Sequence, residues 1–143
     1  MIRSLGRRSS GWAALVLILL AGCGVSPKQR AQISSAINTF VSQWKQDDLD
    51  GIYNNADPQF RKTQNLDDWQ TWTRTVQQHW GPLRSVEIVN IDRLAPTVDL
   101  YEADTIMKYA NGNTRGRLSF NLHGGPPRLI GAILANAEDR QSR

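Results

Sequence analysis

Cysteine is nearly absent: the 143 residues contain one, Cys23, so no intrachain disulfide, Cys-x-x-Cys redox pair or thiolate metal cluster can be built from this chain. Histidine is scarce too. His79 and His123 stand alone with no His-Glu-x-x-His spacing, and with no second thiol the expectation is no metal and no cofactor. There is no Gly-x-Ser-x-Gly elbow. Gly112-Asn113-Thr114-Arg115-Gly116 opens a strand pattern and lacks the Lys-Ser/Thr ending of a phosphate loop. The one long apolar run, 12–21, has ten residues, about half of what a bilayer-spanning helix needs.

That run follows Arg3, Arg7 and Arg8, which is the layout of a secretory signal: a positive region, then a short apolar one. It ends in Leu20-Ala21-Gly22-Cys23, which resembles the bacterial lipobox. The resemblance implies cleavage before Cys23 and a diacylglyceryl group on its sulfur, with further acylation of the new amino group. Two or more acyl chains hold a protein on a membrane stably, so the lipid bilayer is the first expected partner, through Cys23. The expected place is the cell membrane or outer membrane, on the extracytoplasmic side. Gly24 stands where an aspartate would signal inner-membrane retention in enterobacteria.

Removing the first 22 of 143 residues leaves 121, enough for one core and too few for two. The removed segment holds three basic residues and no acid, so the net charge falls from +4 to +1. A balance so close to neutral gives no electrostatic footing for nucleic acid. The expected organisation is a signal peptide over 1–22, a lipidated tether over 23–30, an α+β domain over 31–135 and a polar tail over 136–143.

Ile33, Ile37, Phe40, Val41 and Trp44 recur at helical spacing within 28–46. A shorter helical pattern through Leu49, Ile52, Tyr53 and Ala56 breaks at Asp57-Pro58. A third starts at Asn65, which caps with Asp68, carries Leu66, Trp69, Trp72 or Thr73, Val76 and Trp80, and stops at Gly81-Pro82. Then the period drops to two. Strands are expected over 84–94, 98–110 and 128–135, with one more following Asn111-Gly112, the strongest hairpin signal in the chain. In the first of these strands the alternation breaks phase: Val86/Ile88 gives way to Val89/Ile91.

A two-residue Asn111-Gly112 loop predicts the pairs Ala110/Asn113, Tyr109/Thr114, Met107/Gly116, Thr105/Leu118, Ala103/Phe120 and Tyr101/Leu122 on an apolar face. The opposite face then pairs Lys108/Arg115, Ile106/Arg117, Asp104/Ser119 and Glu102/Asn121.

The fold class is therefore α+β: three N-terminal helices packed on a curved four-stranded antiparallel sheet. This order, with its long first helix, its aromatic helix ending Trp80-Gly81-Pro82-Leu83 and its last strand Arg128-Leu129-Ile130-Gly131, resembles the nuclear transport factor 2-like superfamily. In that superfamily a cone of sheet wraps a long helix. Where the family usually has a tryptophan before the last strand's aliphatic residues, this chain has Pro127-Arg128.

Enzymes of the superfamily, isomerases, dehydratases and cyclases, place an acid and a tyrosine inside the cone, where burial raises the carboxyl pKa. Here Glu102 and Asp104 fall on the polar face, and Glu87 and Asp92 straddle the phase break. No catalytic residue is assigned. Mostly aromatic residues supply the expected ligand pocket, an apolar cleft between Trp69, Trp72 and Trp80 of the third helix and Tyr101, Met107, Tyr109 and Phe120 of the sheet. Lys108, Arg115 and Arg117 form the expected partner surface, for an acidic envelope protein or for a second copy through the sheet. The reading is a membrane-anchored, non-catalytic binding or accessory module for a protein partner or an apolar ligand, with the acid–tyrosine enzyme as the alternative.

Overall fold

The computed structural model describes residues 24–134; residues 1–23, with Cys23 and the lipobox-like Leu20-Ala21-Gly22 before it, and the tail from 135 lie outside them. Four helices precede four strands. Helix α1, Pro27–Lys45, opens with a capping box in which the Gln29 N–H donates to Ser26 Oγ (3.2 Å) and the Ser26 N–H donates to Gln29 Oε1 (2.9 Å). Residues 27–30, expected to belong to the tether, are thus its first turn. Helix α2, Leu49–Asn55, is capped by Asp48, which accepts from the Gly51 N–H (3.0 Å).

Three helices are expected from the sequence, and four are present among the described residues. Asp57-Pro58 ends α2, as the sequence pattern predicts, but it also starts helix α3, Pro58–Thr63. Asp57 is the N-cap, accepting from the Gln59 N–H at 2.8 Å, and Pro58 occupies the first turn, where its missing N–H costs nothing. Helix α4, Leu66–Trp80, is capped by Asn65 through the Asp68 N–H (2.8 Å). Gly81 ends it at φ 76°, ψ −174°, a conformation open essentially to glycine alone.

The sheet has the order β1-β2-β3-β4, all antiparallel: β1 Leu83–Arg93, β2 Leu100–Tyr109, β3 Gly112–Asn121 and β4 Arg128–Leu134. Its inner face buries Tyr101, Ala103, Thr105, Met107 and Tyr109 of β2 against the helices, and Thr114, Gly116, Leu118 and Phe120 of β3 beside them. The phase break in β1 is a register shift between Ile88 and Asn90, which leaves Val89 61% exposed and returns Ile91 to the core.

The β2–β3 hairpin corrects the expected register. Tyr109 faces Gly112, Met107 faces Thr114, Thr105 faces Gly116, Ala103 faces Leu118 and Tyr101 faces Phe120, two residues away from the expectation. A shift of two preserves which face each side chain occupies, so the apolar and polar faces stand as expected. The loop is Ala110-Asn111, neither with positive φ, and its N–H groups donate to Pro82 O (3.0 Å) and Trp80 O (2.9 Å). Gly112 serves a different need: a Cβ there would lie 2.8 Å from the Trp80 ring. The end of α4 therefore sets the turn. The same shift replaces Lys108 opposite Arg115, two like charges, with Asp104 opposite Arg117.

Between the layers lies a single core, from Ile33, Ile37, Phe40 and Trp44 of α1 to Leu118, Phe120 and Leu129 of the sheet. Among the described residues no helix is long and apolar enough to cross a membrane.

Candidate functional site

The seven residues expected to line one apolar pocket are distributed through the core. Trp69 is fully buried; its Nε1–H donates to Leu49 O (3.1 Å), and it stacks on the half-buried Trp72 with ring centres 5.3 Å apart. Trp44 meets both edge-on at 6.0 Å, and Phe60 meets Trp69 at 5.4 Å, so this cluster joins the helices to one another. Trp80 lies elsewhere, stacked on Tyr109 at 6.5 Å by the hairpin turn. Met107 is beside it, within 3.8 Å of the Tyr109 hydroxyl. Burial pushes the Tyr109 phenol well above its ordinary range. Tyr101 and Phe120 face each other at the far end of the hairpin, both buried.

Carboxyl groups keep to the outer face of the sheet. Lys108 Nζ lies 2.8 Å from Glu87 Oε2, and Arg117 Nε lies 3.3 Å from Asp104 and 3.8 Å from Glu102. Asp92 accepts from the Asn90 side-chain amide at 2.7 Å. Of the expected basic cluster, Lys108 and Arg117 are therefore matched to acids, while Arg115 faces Ile106. Among the described residues the buried polar side chains are Thr73, Thr105 and Thr114, and no group of His, Cys, Asp and Glu is arranged to hold a metal ion. His79 packs edge-on against Trp80 at 4.9 Å in the last turn of α4, and His123 is 87% exposed, 3.9 Å from Asp99.

An open groove of about 500 Å³ lies on the other side of α1, walled by α1, the end of α2, Arg61 of α3 and the start of β4. Phe120 is the one expected pocket residue that lines it. The floor is apolar, from Phe40, Ile52, Phe120 and Leu129, and the α1 wall presents Gln32, Ser35, Thr39 and Gln43 at helical spacing. Two guanidinium groups complete it. Arg61 donates from Nη1 to Asn54 O (2.7 Å) and Ala56 O (3.1 Å), closing the C-terminal end of α2. Arg128 is exposed and makes no ion pair among the described residues. Among the described residues no carboxylate lines the groove. Asp57, the nearest in sequence to Arg61, is occupied by the Gln59 N–H and by Asn121 Nδ2 (3.0 Å), while its own N–H donates to Leu129 O (2.8 Å). That last bond pins β4 to the start of α3.

Periodicity of apolar residues did not point to this groove, but another signal does. Residues 31–44 of α1, Ala31 through Trp44, carry no charge, although the chain is 21% charged. The solvent face of a helix is ordinarily rich in charge, so this gap is the one local sequence feature that coincides with the groove wall. Arg61 and Arg128 are brought to it from distant positions and leave no local pattern.

No protein-family model matches the chain, and no curated protein is similar to it. Among solved structures, the "Structure of Bdellovibrio bacteriovorus Bd1075" is similar, with a TM-score of 0.52 at 14% identity over 76% of this chain. The chain spans 40% of the length of that protein, and the likeness is one of fold: helices followed by an open antiparallel sheet.

Proposed function

We propose that this chain is a lipid-anchored envelope protein of nuclear transport factor 2-like build, whose α+β body binds a protein partner or an apolar ligand without catalysing a reaction. One observation carries the reading: an open groove of about 500 Å³, within the size range of ligand sites, is lined by amides, hydroxyls and guanidiniums over an apolar floor. No proton-transfer pair converges there. The acid–tyrosine alternative needs a carboxyl group in the interior, and the carboxyl groups beside the sheet are paired on its outer face. The anchor rests on Leu20-Ala21-Gly22-Cys23. With α1 starting at Pro27, three residues separate Cys23 from the helix, which holds the body within about 10 Å of the lipid.

The uncovered outer face of the sheet favours a second copy as an additional partner. Acids concentrate on β1 and β2, Arg115 and Arg117 lie on β3, and Ile133 is 63% exposed beside them. A two-fold axis parallel to the strands sets each acidic side over a basic one. Sedimentation of the purified chain tests this: a dimer that dissociates in high salt supports it, and a monomer at every salt removes it.

Mass spectrometry of the membrane-extracted protein tests the main reading. The expected result is an N-terminal peptide beginning at an acylated Cys23, membrane fractionation that Cys23→Ala abolishes, and a co-purified molecule. An intact, unmodified N-terminus removes the anchor. An acid-dependent isomerisation or dehydration catalysed by the purified chain removes the non-catalytic reading.

A further inference from the structure

We infer that the groove between α1 and the α2–α3–β4 wall binds an extended peptide about five residues long, with a carboxylate at the Arg61 and Arg128 end. This deepens the binding-module reading and rests on it. Length comes from α1: Gln32 to Gln43 spans about 16 Å at helical rise, which five extended residues cover. The wall matches a peptide backbone: the Gln32 and Ser35 side chains both donate and accept hydrogen bonds, as peptide N–H and C=O groups require, and Thr39, whose hydroxyl donates to Ser35 O (3.1 Å), still accepts. An acyl chain laid there would leave those amides and hydroxyls unpaired. Phe40, Ile52 and Phe120 beneath give small aliphatic side chains an apolar floor.

Charge sets the polarity. Among the described residues the groove has two guanidiniums and no carboxylate. Helix α2 begins beside Gln43, where Asp48 accepts from Gln43 Nε2 (3.2 Å), and it ends at Asn54–Ala56, where Arg61 sits. The negative end of the wall is therefore at Gln43 and the positive end at Arg61. Because Nη1 of Arg61 already holds two backbone carbonyls, its planar head is fixed in place, with further N–H groups unspent. Arg128, which makes no ion pair among the described residues, completes a charge-assisted pair with the carboxylate.

The test titrates the membrane-extracted full chain in detergent with acetyl-tetraalanine bearing a free carboxylate, with its C-terminal amide and with chitotetraose. Amide resonances of α1 give the readout. The expected result is that the acid shifts residues 32–43 and binds about tenfold tighter than the amide, an advantage that shrinks with added salt. Arg128→Gln, exposed and outside the core, is expected to keep the melting temperature and bring the acid down to the affinity of the amide. Ala36→Trp, which fills the groove from α1, is expected to abolish both. Equal binding of acid and amide, no response at millimolar peptide, or tighter binding of the uncharged oligosaccharide each overturns the proposal. The binding-module reading has its own readout in the co-purified molecule, so a negative titration removes the peptide and not the module.

Discussion

Gly81 joins the helical layer to the sheet, and Gly81→Ala measures how rigid that joint is. Its backbone sits at φ 76°, ψ −174°, where a non-glycine residue costs on the order of 1–3 kcal/mol. Strain is not the only term, because the new methyl group would lie 3.0 Å from Ala110 Cβ and 3.1 Å from Asn111 Nδ2. Those atoms belong to the hairpin turn, whose N–H groups are held by the Trp80 and Pro82 carbonyls, so the turn cannot move away without breaking them. The crowding adds roughly 1 kcal/mol. A total near 3 kcal/mol is expected. For the 111 residues of 24–134, unfolding entropy of about 2.1 cal/mol/K per residue turns that into a fall in Tm of about 13 °C. Gly125→Ala is the control: no atom lies within 4 Å of its new Cβ, and its φ is not positive, so its stability is expected to stay within about 0.5 kcal/mol. Urea titration followed by tryptophan fluorescence, with calorimetry, gives both numbers. If Gly81→Ala unfolds at the same midpoint as Gly125→Ala, the turn is not clamped by α4, and the explanation offered for the hairpin register fails with it.

Trp69→Phe removes the N–H that satisfies the Leu49 carbonyl and leaves a void among the three rings of Trp44, Phe60 and Trp72; a loss of about 2–4 kcal/mol is expected by urea titration, against less than half of that for the half-buried Trp72→Phe. The raised Tyr109 phenol makes stability fall in alkali. The unfolded chain ionises this group near pH 10 while the folded one keeps its proton, so stability is full below pH 10 and drops by up to about 1.4 kcal/mol per pH unit above it. Tyr109→Phe is expected to remove that component and to cost little at neutral pH, where the hydroxyl meets only Met107 Sδ at 3.8 Å. Arg117→Gln breaks two exposed ion pairs and is expected to cost under about 1 kcal/mol at low salt and nothing measurable at high salt.

Local chemistry wrote the helix ends and the sheet faces plainly into the sequence. Asn65 with Asp68, Gly81-Pro82 and the Val86/Ile88 to Val89/Ile91 slip each act within one turn or one strand, and each appears in the structure as a cap, a stop and a bulge. Asp57-Pro58 was legible only in half: a proline that ends one helix is equally suited to begin the next, and nothing local distinguishes the two. The hairpin register was hidden for a different reason. Asn111-Gly112 suits a two-residue turn taken alone, but Gly112 is needed beside the Trp80 ring, 32 positions away in the chain. Parity survived because a shift of two leaves every side chain on its face. The aromatic stripe told which side of each element turns inward; whether that interior is filled or hollow depends on how rings from four helices meet, which no single stripe contains.

The groove and the anchor bear on each other through α1. Val25 packs against the core and Ser26 caps α1, so the folded body begins two residues after Cys23 in the sequence. With acylation as proposed at Cys23, α1 rises directly from the lipid surface. Its first groove residue, Gln32, is five positions beyond Pro27, about 8 Å along the helix. The whole binding face then lies within a few nanometres of the bilayer, and a free peptide from bulk solvent competes there with segments of other membrane-held proteins. Tethering both partners to one surface raises their effective concentration, so a groove of only millimolar intrinsic affinity still fills. On the peptide proposal, the groove would contribute weak, backbone-directed contacts and a single carboxylate pair. If Cys23 is acylated as proposed, such contacts suffice on that surface, and a separation of three residues between Cys23 and α1 is the reason why a tighter pocket is not required.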